Sequence, residues 1–237
     1  MKTSFRLFSF LFLLLTALPS MAGAPRPYVA MYKVKVDGIS MGEMRRELQR
    51  DSAYQVLKTE MYTTGFAALF KDDRFTEQSR WQYRDGQLPL PLEYTYLHTN
   101  GSNRTFEKLS FDWSTNSVDS LRDGKVTPVA IEPGTMDKLA YQIALRRDVA
   151  AGKDVINYEV ADRGDIRTYR FLVRGEERIN TPLGYFDAIK IERISHDTQR
   201  KTFLWLAPKL DYILIQLVQD DGGHTYASYL QSLKYSD

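Results

Sequence analysis

Along most of the chain, apolar and polar residues alternate in short runs that end at turn-forming pairs. This is the period-two signature of antiparallel strands with one face in water. Tyr28–Val36 sets Tyr32, Val34 and Val36 on one side and Lys33 and Lys35 on the other, and Asp37-Gly38 follows as a hairpin turn. The same texture predicts strands over Met44–Asp51, Tyr54–Tyr62, Arg74–Tyr83, Glu93–His98, Thr105–Trp113, Val118–Leu121 and Lys125–Ile131. Turns fall at Asp85-Gly86, Asn100-Gly101 and Asp123-Gly124. Leu88-Pro89-Leu90-Pro91 cannot be a central strand, because proline has no N–H for a ladder.

Glu132-Pro133-Gly134 breaks the alternation, and residues 136–150 read as a helix. Met136, Leu139, Ala140 and Ile143 recur at helical spacing as one apolar face, Thr135 is the expected cap, and Gly152 stands just past the end. Strands resume at Asp154–Asp162, Ile166–Arg174, Phe186–Ser195, Lys201–Leu206, Tyr212–Asp220 and His224–Tyr235. Arg163-Gly164, Gly175, Thr181–Gly184, Ala207-Pro208 and Gly222-Gly223 are the turns between or after them. The expectation is a mainly β chain: an antiparallel, strongly curved sheet or open barrel of about a dozen strands with one covering helix.

The first 22 residues have a different pattern. Lys2 and Arg6 precede an apolar run from Leu7 to Leu18, and Ser20 and Ala22 provide the small residues of a cleavage site. The run is short of the roughly 20 residues that span a bilayer. The expectation is a cleavable signal peptide over 1–22 and a single β-rich domain over 23–237, exported to the periplasm and not a lipoprotein. No later stretch is apolar for long enough to predict a membrane span.

Composition narrows the chemistry. Lys and Arg number 32 against 30 Asp and Glu, and Lys2 and Arg6 account for the whole excess, so the expected mature chain is formally neutral and nucleic acid is not an expected partner. There is no cysteine, which excludes disulfides, thiolate metal sites and a cysteine nucleophile. His98, His196 and His224 lack metal-ligand spacing, and no cofactor is expected. Ser195-His196-Asp197 spells a triad, but neighbouring strand residues point to opposite faces. Asp72-Asp73, Glu176-Glu177 and Asp220-Asp221 lie beside turns and read as solvated charge. Arg163, Arg167, Arg170, Arg174 and Arg178 are interleaved with acids and read as a mixed ion-pair face.

The most informative stretch is Thr202–Gln219. Phe203, Leu204, Trp205 and Leu206 are apolar in succession, as are Tyr212, Ile213, Leu214 and Ile215. Strands with one wet face alternate, so both faces here leave water. The helix over 136–150 is the expected cover for one face, with an apolar cleft or partner surface as the alternative. On the cleft reading, Trp205, Leu204, Leu206, Tyr212 and Leu214 are the candidate ligand-binding residues.

Three segments carry a resemblance: Asp137–Arg146 followed by Gly152, Thr181–Lys190, and Leu204-Trp205-Leu206-Ala207-Pro208 before a strand. Together with Tyr32, Gly38 and Gly42 they resemble DUF3108, a bacterial envelope family known only as a domain of unknown function. The resemblance implies a periplasmic, mostly β protein and transfers no catalytic residue. The C-terminal third is more loosely similar to periplasmic lipoprotein-localisation carriers, curved sheets whose apolar cavity holds acyl chains. This chain differs from them at Ile213, near an expected proline, and in having one clear helix. The Gly-x-Trp opening of lipocalins is absent, since Ser79, Phe111 and Phe203 stand two residues before Trp81, Trp113 and Trp205.

The functional expectation is a non-enzymatic periplasmic protein that binds an apolar or amphipathic envelope component, a lipid or lipoprotein acyl chain. A scaffold module with an envelope protein partner and a carboxylate-dependent hydrolase of envelope polysaccharide are the alternatives. The sequence leaves the oligomeric state open.

Overall fold

The computed structural model describes residues 25–51, 53–68, 73–83, 88–195 and 199–236, without the side chains of 66 and 67. The expected signal peptide, the Asp85-Gly86 turn, Asp72, His196 and Asp197 lie outside the described residues.

Fourteen antiparallel strands form one sheet. They are β1 (Tyr28–Val36), β2 (Ile39–Arg50), β3 (Gln55–Thr63), β4 (Asp73–Tyr83), β5 (Pro89–Asn100), β6 (Asn103–Asp112), β7 (Ser117–Arg122) and β8 (Lys125–Ala130), then β9 (Val155–Asp162), β10 (Asp165–Thr181), β11 (Gly184–Ile194), β12 (Lys201–Ala207), β13 (Ile213–Asp220) and β14 (Thr225–Tyr235). Their order is β8-β7-β6-β5-β4-β3-β2-β1-β14-β13-β12-β11-β10-β9. Two meanders are thus joined at one place, the antiparallel pairing of β1 with β14. A short helix α1 (Gly65–Ala68) follows β3, helix α2 (Ala140–Ala150) links the edges β8 and β9, and a 3-10 turn (Pro208–Leu210) leads into β13. The sheet does not close, and among the described residues no helix is long and apolar enough to cross a membrane.

The turn chemistry explains the meander. Asp37-Gly38, Asp123-Gly124 and Arg163-Gly164 have positive φ at both residues, the type I′ geometry whose twist matches paired strands. Across the first meander, one row of partners runs Tyr28, Leu48, Leu57, Ser79, Tyr94, Leu109 and Ser120. Every member is buried, so this row marks the concave face.

Helix α2 fills the concavity. Ala140, Tyr141, Ala144, Leu145 and Val149 pack on Ile156, Tyr158, Tyr169, Phe171, Ile191, Leu204, Leu206 and Leu214 of the second meander. Leu139 and Ile143 belong to the other apolar cluster, with Tyr28, Leu48, Leu57, Trp81 and Tyr94. The single apolar face read from the sequence is therefore too narrow, because the helix is held between two walls.

The start of α2 also differs from expectation. Met136 is drawn into a bridge with Val160: its N–H donates to Glu159 O at 2.8 Å, and Ala161 N–H donates to its carbonyl at 2.8 Å. An extended Met136 moves the helix start beyond it, so Thr135 cannot cap, and its buried Oγ1 has no partner. Asp137 takes the role, accepting from the N–H groups of Leu139 and Ala140 at 2.8 Å each.

One more reading is corrected. Gly175 is not a turn: β10 runs through it to Thr181, with a register shift between Val173 and Gly175, so it is a bulge. The hairpin thereby reaches across its own sheet, for β10 touches β14 although three strands separate them. Pro89 and Pro91, read as excluded from a central strand, lie in the part of β5 that has a neighbour on one side only. They pair with Tyr83 and Trp81 of β4, while pairing with β6 begins only at Glu93, so on that side no ladder donor is required.

Gly42 sits where β2 runs closest to β3. A Cβ there would lie 2.3 Å from the Tyr62 carbonyl oxygen, a backbone atom that cannot rotate away. Gly42→Ala is expected to cost about 1–3 kcal/mol, seen as a lower urea midpoint with an unchanged slope.

Candidate functional site

Thr202–Gln219 is covered on both faces, as its pattern requires. Leu204, Leu206 and Leu214 lie under α2 in one cluster, with Tyr212 and Leu217 packed at its margin. Trp205 alternates to the opposite face, where Ala207, Ile179, Phe186 and Leu210 belong to the same cluster. Its Nε1–H donates to Glu177 Oε2 of β10 at 2.8 Å. The five candidate residues are thus split: three leucines face the helix, Tyr212 borders them, and Trp205 is tied to the β10–β11 hairpin.

The helix does not seal the leucine face completely. A cavity of about 20 Å³ remains, lined by Leu204, Leu206, Leu214, Tyr28, Ile143 and Leu145 together with Arg46, Gln142 and Arg146. A space of that size admits one water molecule. Arg46 projects from β2 and is only 6% exposed. Its Nη2–H donates to Gln142 Oε1 at 2.7 Å, and Gln142 in turn donates to Lys138 O at 2.8 Å. Arg146 reaches from α2 to the Asp211 carbonyl, with Nε at 3.2 Å and Nη2 at 2.7 Å. Tyr32, fully buried beside these groups, donates its hydroxyl to Leu214 O at 2.8 Å.

A second set of buried polar groups fixes the helix start. Ser79 of β4 donates to Asp137 Oδ2 at 2.6 Å across the concavity. Lys138 Nζ stands 3.4 Å from Glu107 Oε2 and 3.2 Å from Asp162 Oδ1, over the rings of Tyr94 and Tyr96. Glu107 Oε1 also accepts from Arg163 N–H at 2.9 Å. Burial pushes the Asp137 carboxyl up to about 6, against the pull of its three donors. Burial also pushes Asp162 upward, but Lys138, the Tyr169 hydroxyl and Arg163 together hold it below the usual carboxylate range. Burial and then Glu77 raise Tyr94, whose hydroxyl donates to Glu77 Oε1 at 2.7 Å.

None of these polar interior groups was singled out from the sequence, although a signal was there: Arg46 shares strand parity with Met44 and Leu48, and Ser79 with Trp81. The acids that the sequence does flag have turn and ion-pair roles. Glu177 accepts from Lys190 and Trp205, and Asp220 and Asp221 accept backbone N–H groups of the turn before β14. Of the arginines flagged, Arg174 pairs with Glu192 at 2.6 Å, while Arg163 and Arg167 approach Asp162. His98 contacts Asp73, and His224 contacts Asp37, at separate places. Among the described residues no cluster of His, Asp or Glu is arranged to hold a metal ion.

Residues 30–226 match the family model of a protein of unknown function, DUF3108. A beta-barrel-like protein of the domain of unknown function DUF1849 from Brucella abortus superposes with a TM-score of 0.62 at 11% identity, over 91% of this chain and all of that one. At that identity the likeness concerns the fold. A "putative lipoprotein" from Parabacteroides distasonis aligns over 90% of this chain and 98% of its own at 12% identity, with a TM-score of only 0.35. None of the curated proteins matches the chain in sequence.

The raised carboxyl of Asp137 sets a pH dependence. The folded protein keeps this proton to about pH 6, whereas an unfolded aspartate releases it near pH 4. Between those values the folded state binds more protons, so the group's contribution is fully present below about pH 4 and lost as pH rises through 6. Asp162, with its lowered carboxyl, acts oppositely, and its contribution is lost only in more acid solution. Asp137→Asn retains acceptors for Leu139 and Ala140. In urea titrations it is expected to remove a decline of about 1–3 kcal/mol between pH 4 and 6.

Proposed function

Since the chain belongs to the DUF3108 family of proteins of unknown function, we propose its role from the interior surface itself: a non-enzymatic binding protein for an amphipathic component of the bacterial envelope. On this reading residues 1–22 are a signal peptide removed after Ala22, and residues 23–237 act as one periplasmic domain. The ligand enters between α2 and β12–β13, against Leu204, Leu206 and Leu214.

The observation that carries the proposal is the mixed lining of the cavity, which combines Ile143, Leu145, Leu204, Leu206 and Leu214 with Arg46 and Arg146. A site with apolar walls and a few convergent polar groups suits a ligand with an apolar body and a polar end. The resting space admits no more than one water, so occupancy requires α2 to move outward from the leucine face.

Native mass spectrometry of protein purified from periplasm is expected to find a lipid-sized adduct, and stripped protein is expected to take up a fluorescent fatty acid. Leu214→Phe, which fills the cavity, is expected to weaken uptake several-fold while leaving the far-UV circular dichroism unchanged. A ligand-free mass together with no uptake by the wild type overturns the proposal.

A further inference from the structure

We propose that Arg46 and Arg146 form an oxyanion subsite in the wall of the α2 cavity, holding the carboxylate or phosphate end of the amphipathic component. This deepens the proposed function and rests on it for the apolar part of the ligand.

The argument begins from charge pairing. Lys138, held inside the sheet, lies between two carboxylates, and the buried Asp148 pairs with Lys153 at 2.7 Å. Arg46 is as deeply buried as these acids, yet among the described residues no Asp or Glu pairs with it or with Arg146. Arg46 has one neutral amide as acceptor, and Arg146 has one backbone carbonyl. The Arg46 Nε–H and an Nη1–H of Arg146 are buried with no acceptor at all. A guanidinium removed from water without a counter-charge is costly, and so is each unsatisfied N–H. Arg46 is in that position, and Arg146, partly buried and over the Tyr28 ring at 5.6 Å, lines the same cavity without a carboxylate partner.

An oxyanion removes both costs together. It supplies the missing negative charge and several acceptor lone pairs, and the planar guanidinium fork matches carboxylate and phosphate geometry. Gln142 holds Arg46 in place and is itself fixed by the Lys138 carbonyl. Arg146 is only partly buried and bound to a carbonyl, so it is the member free to swing toward an arriving anion. Leu204, Leu206 and Leu214 across the cavity are placed to meet an alkyl chain attached to that anion.

The test compares three probes on stripped, full-length mature protein: decanoate, decanol and inorganic phosphate. Decanoate is expected to bind, and Arg46→Met and Arg146→Gln each to weaken it by about tenfold or more, the loss expected for a charged hydrogen bond. Decanol affinity is expected to be unchanged in both variants. Arg46→Met is also expected to raise the thermal midpoint of the ligand-free protein, because it removes an unpaired buried charge. A structural arginine would lower it. Should Arg46→Met not fold, Arg46→Lys and Arg146→Gln carry the comparison.

Equal decanoate binding by wild type and both arginine variants overturns the subsite and leaves the amphiphile reading standing. Arg46-dependent stabilisation by phosphate, without binding of decanoate or decanol, supports the subsite and overturns the amphiphile reading. No binding of any probe overturns both.

Discussion

An antiparallel sheet that curls through fourteen strands without closing has an apolar concave face and two unpaired edges, and neither is stable in water. The chain answers both problems with the segment between β8 and β9. Met136 pairs with the β9 edge, Asp137 ties the next turn to β4 through Ser79, and α2 then lies along the concavity between the two meanders. At the opposite edge, β8 is exposed along most of its length, with Pro128 and Lys125 to discourage further pairing. Much of the fold therefore depends on a helix of 11 residues being buried on most of its circumference.

The strands were largely legible because alternation and turn chemistry are local. Tyr28–Val36 coincides with β1, and the Asp37-Gly38 and Asp123-Gly124 turns fall where they were read. The readings that failed involve partners distant in sequence. Glycine serves both turns and bulges, so Gly175 could not announce that β10 continues to Thr181. Thr135 looked like a cap because nothing local reveals that Met136 is claimed by Val160. At the candidate site, the successive apolar residues of β12 and β13 correctly indicated two covered faces. They did not show that Trp205 and Leu204 would meet different covers, the β10–β11 hairpin and α2.

The interior polar groups fall into two kinds with different physical meaning. Asp137, Ser79, Lys138, Glu107 and Asp162 are paired with one another by hydrogen bonds and opposite charge, although Asp162 Oδ1 accepts no hydrogen bond, and they fix the register of helix on sheet. Such a set gives specificity more than net stability, since buried ion pairs roughly offset their own desolvation. Arg46 and Arg146 are incompletely satisfied. Among the described residues they also lack the opposite charge that Lys138, Glu107, Asp148 and Asp162 each have, and that contrast directs attention to the cavity they line.

The pairing of β1 with β14 has a consequence for how the chain assembles. The first and last strands meet in the middle of the sheet, with Tyr28 opposite Tyr235 and Ser236 N–H bonded to Pro27 O. Each meander can grow by local hairpins, but their junction must wait until nearly the whole chain is present, and its loop-closure cost is the largest in the molecule. Losing the final strand would split the sheet at its centre and leave two half-sheets sharing one helix. The β1–β14 pair thus acts as the keystone between the two meanders.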